Sequence, residues 1–248
     1  MRKGVRKGDC PHFIVNFPRH PACLDDSGSR GPATPRQRRF APAGVSFHVL
    51  NRGNDRRSIF FEDADYKSFL SLLARGKQLY PVRIFGVCLM PNHFHGLMSP
   101  ETEGALSSYL QWVQARYACD LRSLTRTVGQ GHIFQRRFWS DGIEDARHFF
   151  AVLRYIEANP VRARLVERAE EWMWSSLVLR TIEVDQVLDP LPYLLPERWV
   201  DVVNEVQPIT EVEHIRNPAE RGRPTQACPM TPRRVQRLPN VGGFFNEG

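Results

Sequence analysis

The stretch VRIFGVCLMPNHFHGLM, Val82 to Met98, decides how this chain folds. Its first part, VRIFGVCLM, is a largely apolar run of strand length; Pro91 and Asn92 make a turn pair, and HFHGLM returns as the partner strand of a hairpin. On a strand the side chains at i and i+2 leave the same face, so His93 and His95 point one way and Phe94 the other. That geometry suits two imidazoles meeting one metal ion. It suits two ordinary strand histidines equally well, and the spacing alone does not separate these readings.

Working outward, VSFHVLN (residues 45–51) alternates as a strand, with Val45, Phe47 and Val49 on one face and Ser46, His48 and Leu50 on the other. DADYKSFLSLLARGKQLY (63–80) is a helix opened by acidic residues, its apolar side carrying Tyr66, Phe69, Leu70 and Leu73. GALSSYLQWVQARYACDLRSL (104–124) places Leu106, Leu110, Val113, Tyr117 and Leu121 at helical spacing. HIFQRRFWS (132–140) is the candidate fourth strand. The order strand, helix, strand, strand, helix, strand predicts an α+β class, ferredoxin-like βαββαβ arrangement, an antiparallel sheet with both helices on one face. A further helix, EDARHFFAVLRYIEA (144–158), follows and is expected to stop at Asn159-Pro160.

The flanks differ from this core. Residues 1–40 hold DDSGSRGPATPRQRR, too polar and too rich in breakers to pack, and are expected to be a disordered basic tail. Within them Cys10, His12, His20 and Cys23 offer four zinc-type ligands, but at spacings unlike those of the usual zinc sites. Residues 41–200 are read as the folded domain with a helical extension, and 201–248 as a flexible basic arm.

The formal charge of +7 points to a polyanionic partner, because lysines and arginines gain affinity by displacing counterions from a phosphate backbone. Five scattered cysteines give no disulfide framework, which fits a reducing cytoplasm. No run approaches the roughly 18 apolar residues that a bilayer span needs, so no membrane role is expected. No Walker-type glycine loop is present, and no nucleotide cofactor is expected.

Five stretches, HVLNRGNDRRSIFF, CLMPNHFHGLMSP, IFQRRFWS, RYIEANPVRARLV and WMWSS, occur in this order, and together they resemble the REP-associated tyrosine transposases, a branch of the HUH single-strand transposases. The resemblance covers about Arg39 to Ser176, with a weaker echo in RGRP at Arg221 to Pro224. It implies a ferredoxin-like core, a divalent metal (Mg2+ or Mn2+) and cleavage of single-stranded or hairpin DNA by one tyrosine. Carried onto this sequence, it implies His93 and His95 as metal ligands, Tyr155 as nucleophile and Asn159 as third ligand. Helical spacing supports the last pairing, since i and i+4 share a face. Without the resemblance, Asn159 reads as a helix cap and Tyr155 as a core residue.

Phosphate contacts are expected from Arg52, Arg56 and Arg57 after the first strand, Arg136 and Arg137 in the fourth, and Arg162 beyond the tyrosine helix. Phe138 and Trp139 offer stacking surfaces for bases, with core packing the plainer role. His148, seven residues before Tyr155, offers a proton relay or a plain packed histidine; His48 is read as structural. The implied reaction is attack of Tyr155 on a backbone phosphate, leaving a 5'-phosphotyrosine and a free 3'-hydroxyl, in a monomer or homodimer of the cytoplasmic nucleoid. The alternatives are a hairpin-binding protein without turnover and a metal hydrolase using water.

Overall fold

The computed structural model describes residues 41–125, 131–182 and 186–216. Four strands, β1 (Phe47–Arg52), β2 (Val82–Met90), β3 (His93–Pro100) and β4 (Trp139–Gly142), form one sheet in the order β2-β3-β1-β4, every neighbouring pair antiparallel. Two helices, α1 (Asp63–Leu79) and α2 (Ala105–Thr125), connect them. This is the expected ferredoxin-like order, with β3 and β1 at the centre of the sheet and β2 at one edge.

Period-two alternation divides the sheet into two apolar faces. Phe47, Val49, Val87, Leu89, Phe94 and Met98 meet Phe69, Leu73, Leu110 and Val113 of α1 and α2 in one core cluster. Asp65 helps to open α1, its carboxylate accepting from the main-chain N–H of Phe61 at 2.7 Å and of Glu62 at 3.2 Å. Two buried tyrosines tie this layer to the backbone: Tyr109 donates its hydroxyl to the Leu73 carbonyl at 2.9 Å and Tyr117 to that of Ile59 at 2.5 Å.

The opposite face is covered by α3 (Ala146–Glu157), with α4 (Asn159–Arg162), α5 (Ser176–Leu179), α6 (Trp199–Asn204) and α7 (Ile209–Arg216) around it. A bulge between Ile84 and Gly86 re-aims the strand, so that Phe85 joins Cys88, Met90 and Leu97 on this side. A Cβ at Gly86 would stand 2.6 Å from Leu153 Cδ1, so glycine lets α3 lie close on the sheet. The helix is held there by Glu157, fully buried, which accepts from Ser176 Oγ at 2.5 Å, from Trp199 Nε1 at 2.7 Å and from the Arg180 guanidinium. Arg180 in turn donates to the Phe85 carbonyl at 2.9 Å, so one carboxylate links α3, α5, α6 and the bulge.

Three expectations are corrected. The fourth strand starts at Trp139, not His132: the polar run Gln135-Arg136-Arg137 breaks the alternation, and its backbone is held instead by the Arg52 carbonyl, which accepts from Gln135 N at 2.9 Å, and by the Asn51 amide, which donates to the Arg136 carbonyl at 3.1 Å. The tyrosine helix ends at Glu157, as Asn159-Pro160 implies, but helix resumes at once as α4, because Pro160 lacks only its N–H while its fixed φ suits a first helical turn. Residue 200 is not the end of the packed region, since Val203 of α6 and Val212 and Ile215 of α7 are buried against α3. The 1–40 tail, its Cys10–Cys23 ligands and Arg221–Pro224 lie outside the described residues. Among those described, no helix is long and apolar enough to cross a membrane.

Candidate active site

The site lies on the α3 face of the sheet. His93 and His95 project from β3 with ring centroids 5.0 Å apart and planes at 81°. His93 Nδ1 is 2.6 Å from Asn92 Oδ1, and the Asn92 amide is oriented by its own donation to the Arg56 carbonyl at 3.3 Å. The oxygen therefore faces His93, whose Nδ1 must carry the proton. His95 Nδ1 is 3.0 Å from Nε2 of His48 on β1. With the His95 proton on Nδ1, both ligand candidates present a bare Nε2, and both Nε2 atoms are buried without a hydrogen-bond partner. Burial pushes the His93 pKa down to about 4, with Arg52 and Arg162 adding to the effect. The same cause, followed by the charges of His93 and His48, drives His95 well below the ordinary imidazole value. Both rings are thus neutral at physiological pH, the state in which imidazole can donate to a cation.

An Asp145 side chain caps α3, accepting from His148 N at 2.8 Å, and the helix delivers Tyr155 to the histidines. The Tyr155 ring is 2% exposed and lies 5.7 Å from His95 and 5.8 Å from His48, centroid to centroid. Unlike Tyr109 and Tyr117, whose hydroxyls are committed to carbonyls, its oxygen accepts from Arg216 Nε at 3.4 Å. The Arg162 guanidinium carbon sits 4.0 Å from the ring centroid, and Arg162 also donates to the Tyr155 main-chain oxygen. Burial lowers the pKa of Arg162 to about 10, with Arg216 and Arg154 contributing, against the pull of Tyr155 and Cys88. Asn159, just past the helix break, is buried, and its Nδ2 has no partner.

Of the expected cations, Arg52 ends β1 directly opposite His93 in the strand register. Its pKa is lowered by burial and then by the charges of Arg56 and Arg136. Arg56, Arg57, Arg136 and Arg137 are exposed, the first two in the turn after β1 and the last two in the segment before β4. Arg162 belongs instead to the helical layer beneath Tyr155. Phe138 is core, while Trp139 is half-buried with its ring edge-on to His48 at 5.3 Å. His148 lies in the first turn of α3, where its Nδ1 accepts from Glu144 N at 3.3 Å.

Three contacts escaped the sequence reading. His48 was assigned to the correct face, but its bond to His95 depends on strand register, which alternation does not supply. Asn92 was read only as a turn residue. Arg216 lay in a segment taken for a tail; the signal was the i, i+3 pair Val212 and Ile215 after Pro208, too short to stand out.

Residues 43–159 match the family model described as Transposase IS200 like. The chain is 27% identical over 148 residues to a protein of Haemophilus influenzae named a putative REP-associated tyrosine transposase, covering 56% of this chain and 83% of that one. It is 24% identical over 141 residues to the REP-associated tyrosine transposase of Escherichia coli, covering 56% of this chain and 80% of that one. A solved structure described as a REP-associated tyrosine transposase bound to a REP hairpin superposes with a TM-score of 0.49 at 21% identity, over 63% of this chain and 94% of that one. The sheet, the two helices of its first layer and the tyrosine helix lie within the matched segment, and over that segment the chain is similar to the IS200-like transposases, with REP-associated tyrosine transposases among the relatives it matches.

Proposed function

We propose that the protein cleaves and rejoins single-stranded DNA through Tyr155, acting at hairpins of the repetitive extragenic palindromic kind that give its relatives their name. The observation that carries this reading is the pair of buried, unpartnered Nε2 atoms of His93 and His95 beside a tyrosine whose hydroxyl is not committed to a carbonyl.

The donor set fits a divalent metal. Each histidine has its Nδ1 occupied by an outer partner, Asn92 or His48, which fixes the ring and leaves Nε2 to a cation. Among the described residues no group of three His, Cys, Asp or Glu side chains is placed to hold a metal; the third protein ligand that the family resemblance implies is the side-chain oxygen of Asn159, a buried residue. Two imidazoles and an amide oxygen leave positions open for phosphate and water; Mg2+ or Mn2+ is the ion that the family resemblance implies, and the histidines by themselves admit Zn2+ equally. Such an ion, when bound, neutralises the non-bridging oxygens of the scissile phosphate.

The chain's own residues supply the rest. Arg162 pins the Tyr155 ring and main chain. The exposed arginines Arg56, Arg57, Arg136 and Arg137, with Arg52 at the strand end, give a phosphate track at the His93 end of the sheet. The Tyr155 oxygen forms a bond to phosphorus as the bond from phosphorus to the 3'-oxygen breaks; the phenol proton leaves to solvent and the 3'-oxygen takes one up. A 3'-hydroxyl reverses the step, the covalent link having kept the phosphodiester energy.

The test is to incubate the protein with end-labelled hairpin oligonucleotides and Mn2+ and to run a denaturing gel. A labelled species at the protein's size, lost with EDTA and in His93→Ala/His95→Ala, is expected. Hairpin binding with no adduct and no cleavage would leave a DNA-binding protein; cleavage without adduct would leave a hydrolase.

A further inference from the structure

We infer that Arg216, at the end of α7, is a further catalytic residue of this site, acting on the Tyr155 oxygen and on the phosphate joined to it. This rests on the strand-cleavage reading above. Arg216 Nε donates to the Tyr155 hydroxyl oxygen at 3.4 Å, while its guanidinium carbon is 6.0 Å from the ring centroid. Arg162, by contrast, lies 4.0 Å from the ring centroid. The two cations therefore divide the tyrosine between them: one holds the ring, the other attends the reacting atom.

Charge argues in the same direction. Arg216 is close enough to Arg162 to raise the cost of its charge. Among the described residues neither forms an ion pair with a carboxylate, whereas Arg154 beside them is 3.8 Å from Glu205 Oε2. Arg162 Nε is buried without a hydrogen-bond partner. Two crowded guanidiniums with unused donors are relieved by an anion, and a phosphate at the Tyr155 oxygen is the anion this chemistry brings.

The role follows from the direction of the bond. A donor aimed at the phenol oxygen leaves the phenol's own proton outside that bond, and it meets the negative charge that gathers on this oxygen whenever the phosphotyrosine link breaks. By reversibility the same contact lowers the barrier to forming the link. The contact is supplied from beyond residues 43–159, by a helix anchored through Val212 and Ile215, so the segment that matches the family does not by itself contain the complete site.

The experiment is single-turnover adduct formation, and its reversal by an added 3'-hydroxyl strand, at saturating hairpin DNA and Mn2+, for the full chain and for Arg216→Ala and Arg216→Lys. Arg216→Ala is expected to lose on the order of 100- to 1000-fold in both rates, the loss of one charged donor at a reacting oxygen. Its melting temperature and DNA affinity should stay near those of the full chain, Arg216→Lys should recover part of the rate, and millimolar methylguanidinium should restore Arg216→Ala. Rates equal to the full chain's would overturn the inference and leave strand cleavage standing, as would a loss that follows melting temperature and ignores methylguanidinium. No adduct from the unaltered chain would overturn the strand-cleavage reading and this inference with it.

Discussion

Arg162 holds its guanidinium carbon 4.0 Å from the centroid of the Tyr155 ring while donating to the main-chain oxygen of the same residue. One side chain thus fixes both the ring and the helix turn that carries it, across the break between α3 and α4. Arg162→Ala removes a cation–π contact of about 0.5–2 kcal/mol together with a charge-assisted bond. A lower melting temperature and a slower adduct rate are expected together, with Tyr155→Phe keeping the melting temperature because the ring stays. An Arg162→Ala protein with full activity would show that the stack does not position Tyr155 for reaction.

His48 would act on a bound metal only through His95, whose Nδ1 is 3.0 Å from its Nε2. Removing the outer partner of a ligating histidine costs about 10- to 100-fold in metal affinity. Isothermal titration with Mn2+ is therefore expected to show weakened binding for His48→Phe and no binding for His95→Ala. Unchanged affinity in His48→Phe would reduce its bond to His95 to a packing contact.

The buried histidines set the sign of the acid response. The pKa of His93 is held at about 4 in the fold, against about 6.5 for an ordinary imidazole. Between these values the unfolded chain binds more protons than the folded one, so stability rises with pH and is lost as pH falls from about 6.5 towards 4, by up to about 1.4 kcal/mol per unit for each such group. Denaturant midpoints measured in EDTA from pH 7 to 4.5 should fall more steeply for the full chain than for His93→Gln/His95→Gln. Parallel profiles would place the acid sensitivity elsewhere.

Glu157 sits two residues past Tyr155 and has no exposed surface. Its carboxylate collects the hydrogens of Ser176, Trp199 and Arg180, so Glu157→Leu leaves two buried donors and a half-buried guanidinium without their acceptor, and breaking such a pair typically costs about 3–5 kcal/mol. A comparable fall in unfolding free energy is expected from urea titration, with Glu157→Gln losing less. A loss below about 1 kcal/mol for Glu157→Leu would show that Arg180 finds other partners.

What the sequence made legible was local. Alternation and helical spacing located β1 to β3 and the first three helices, because each buries a whole face and so writes its period into the apolar residues. That His93 and His95 leave the same face of β3 follows from the same period. What was missed depends on tertiary register. The bond from His48 to His95 needs the β1–β3 offset, β4 is too short to show an alternation, and α6 and α7 have six and eight residues, few enough that packing on α3 rather than propensity decides their form. Arg216 was hidden for that last reason.

The most direct measurement is mass spectrometry of the tryptic and nuclease digest of the protein after incubation with hairpin DNA and Mn2+. The peptide Tyr155–Arg162, YIEANPVR, should carry a nucleotide joined through its 5'-phosphate to the tyrosine. Cut DNA with that peptide unmodified, or a nucleotide attached to any other residue, would contradict Tyr155 as the nucleophile.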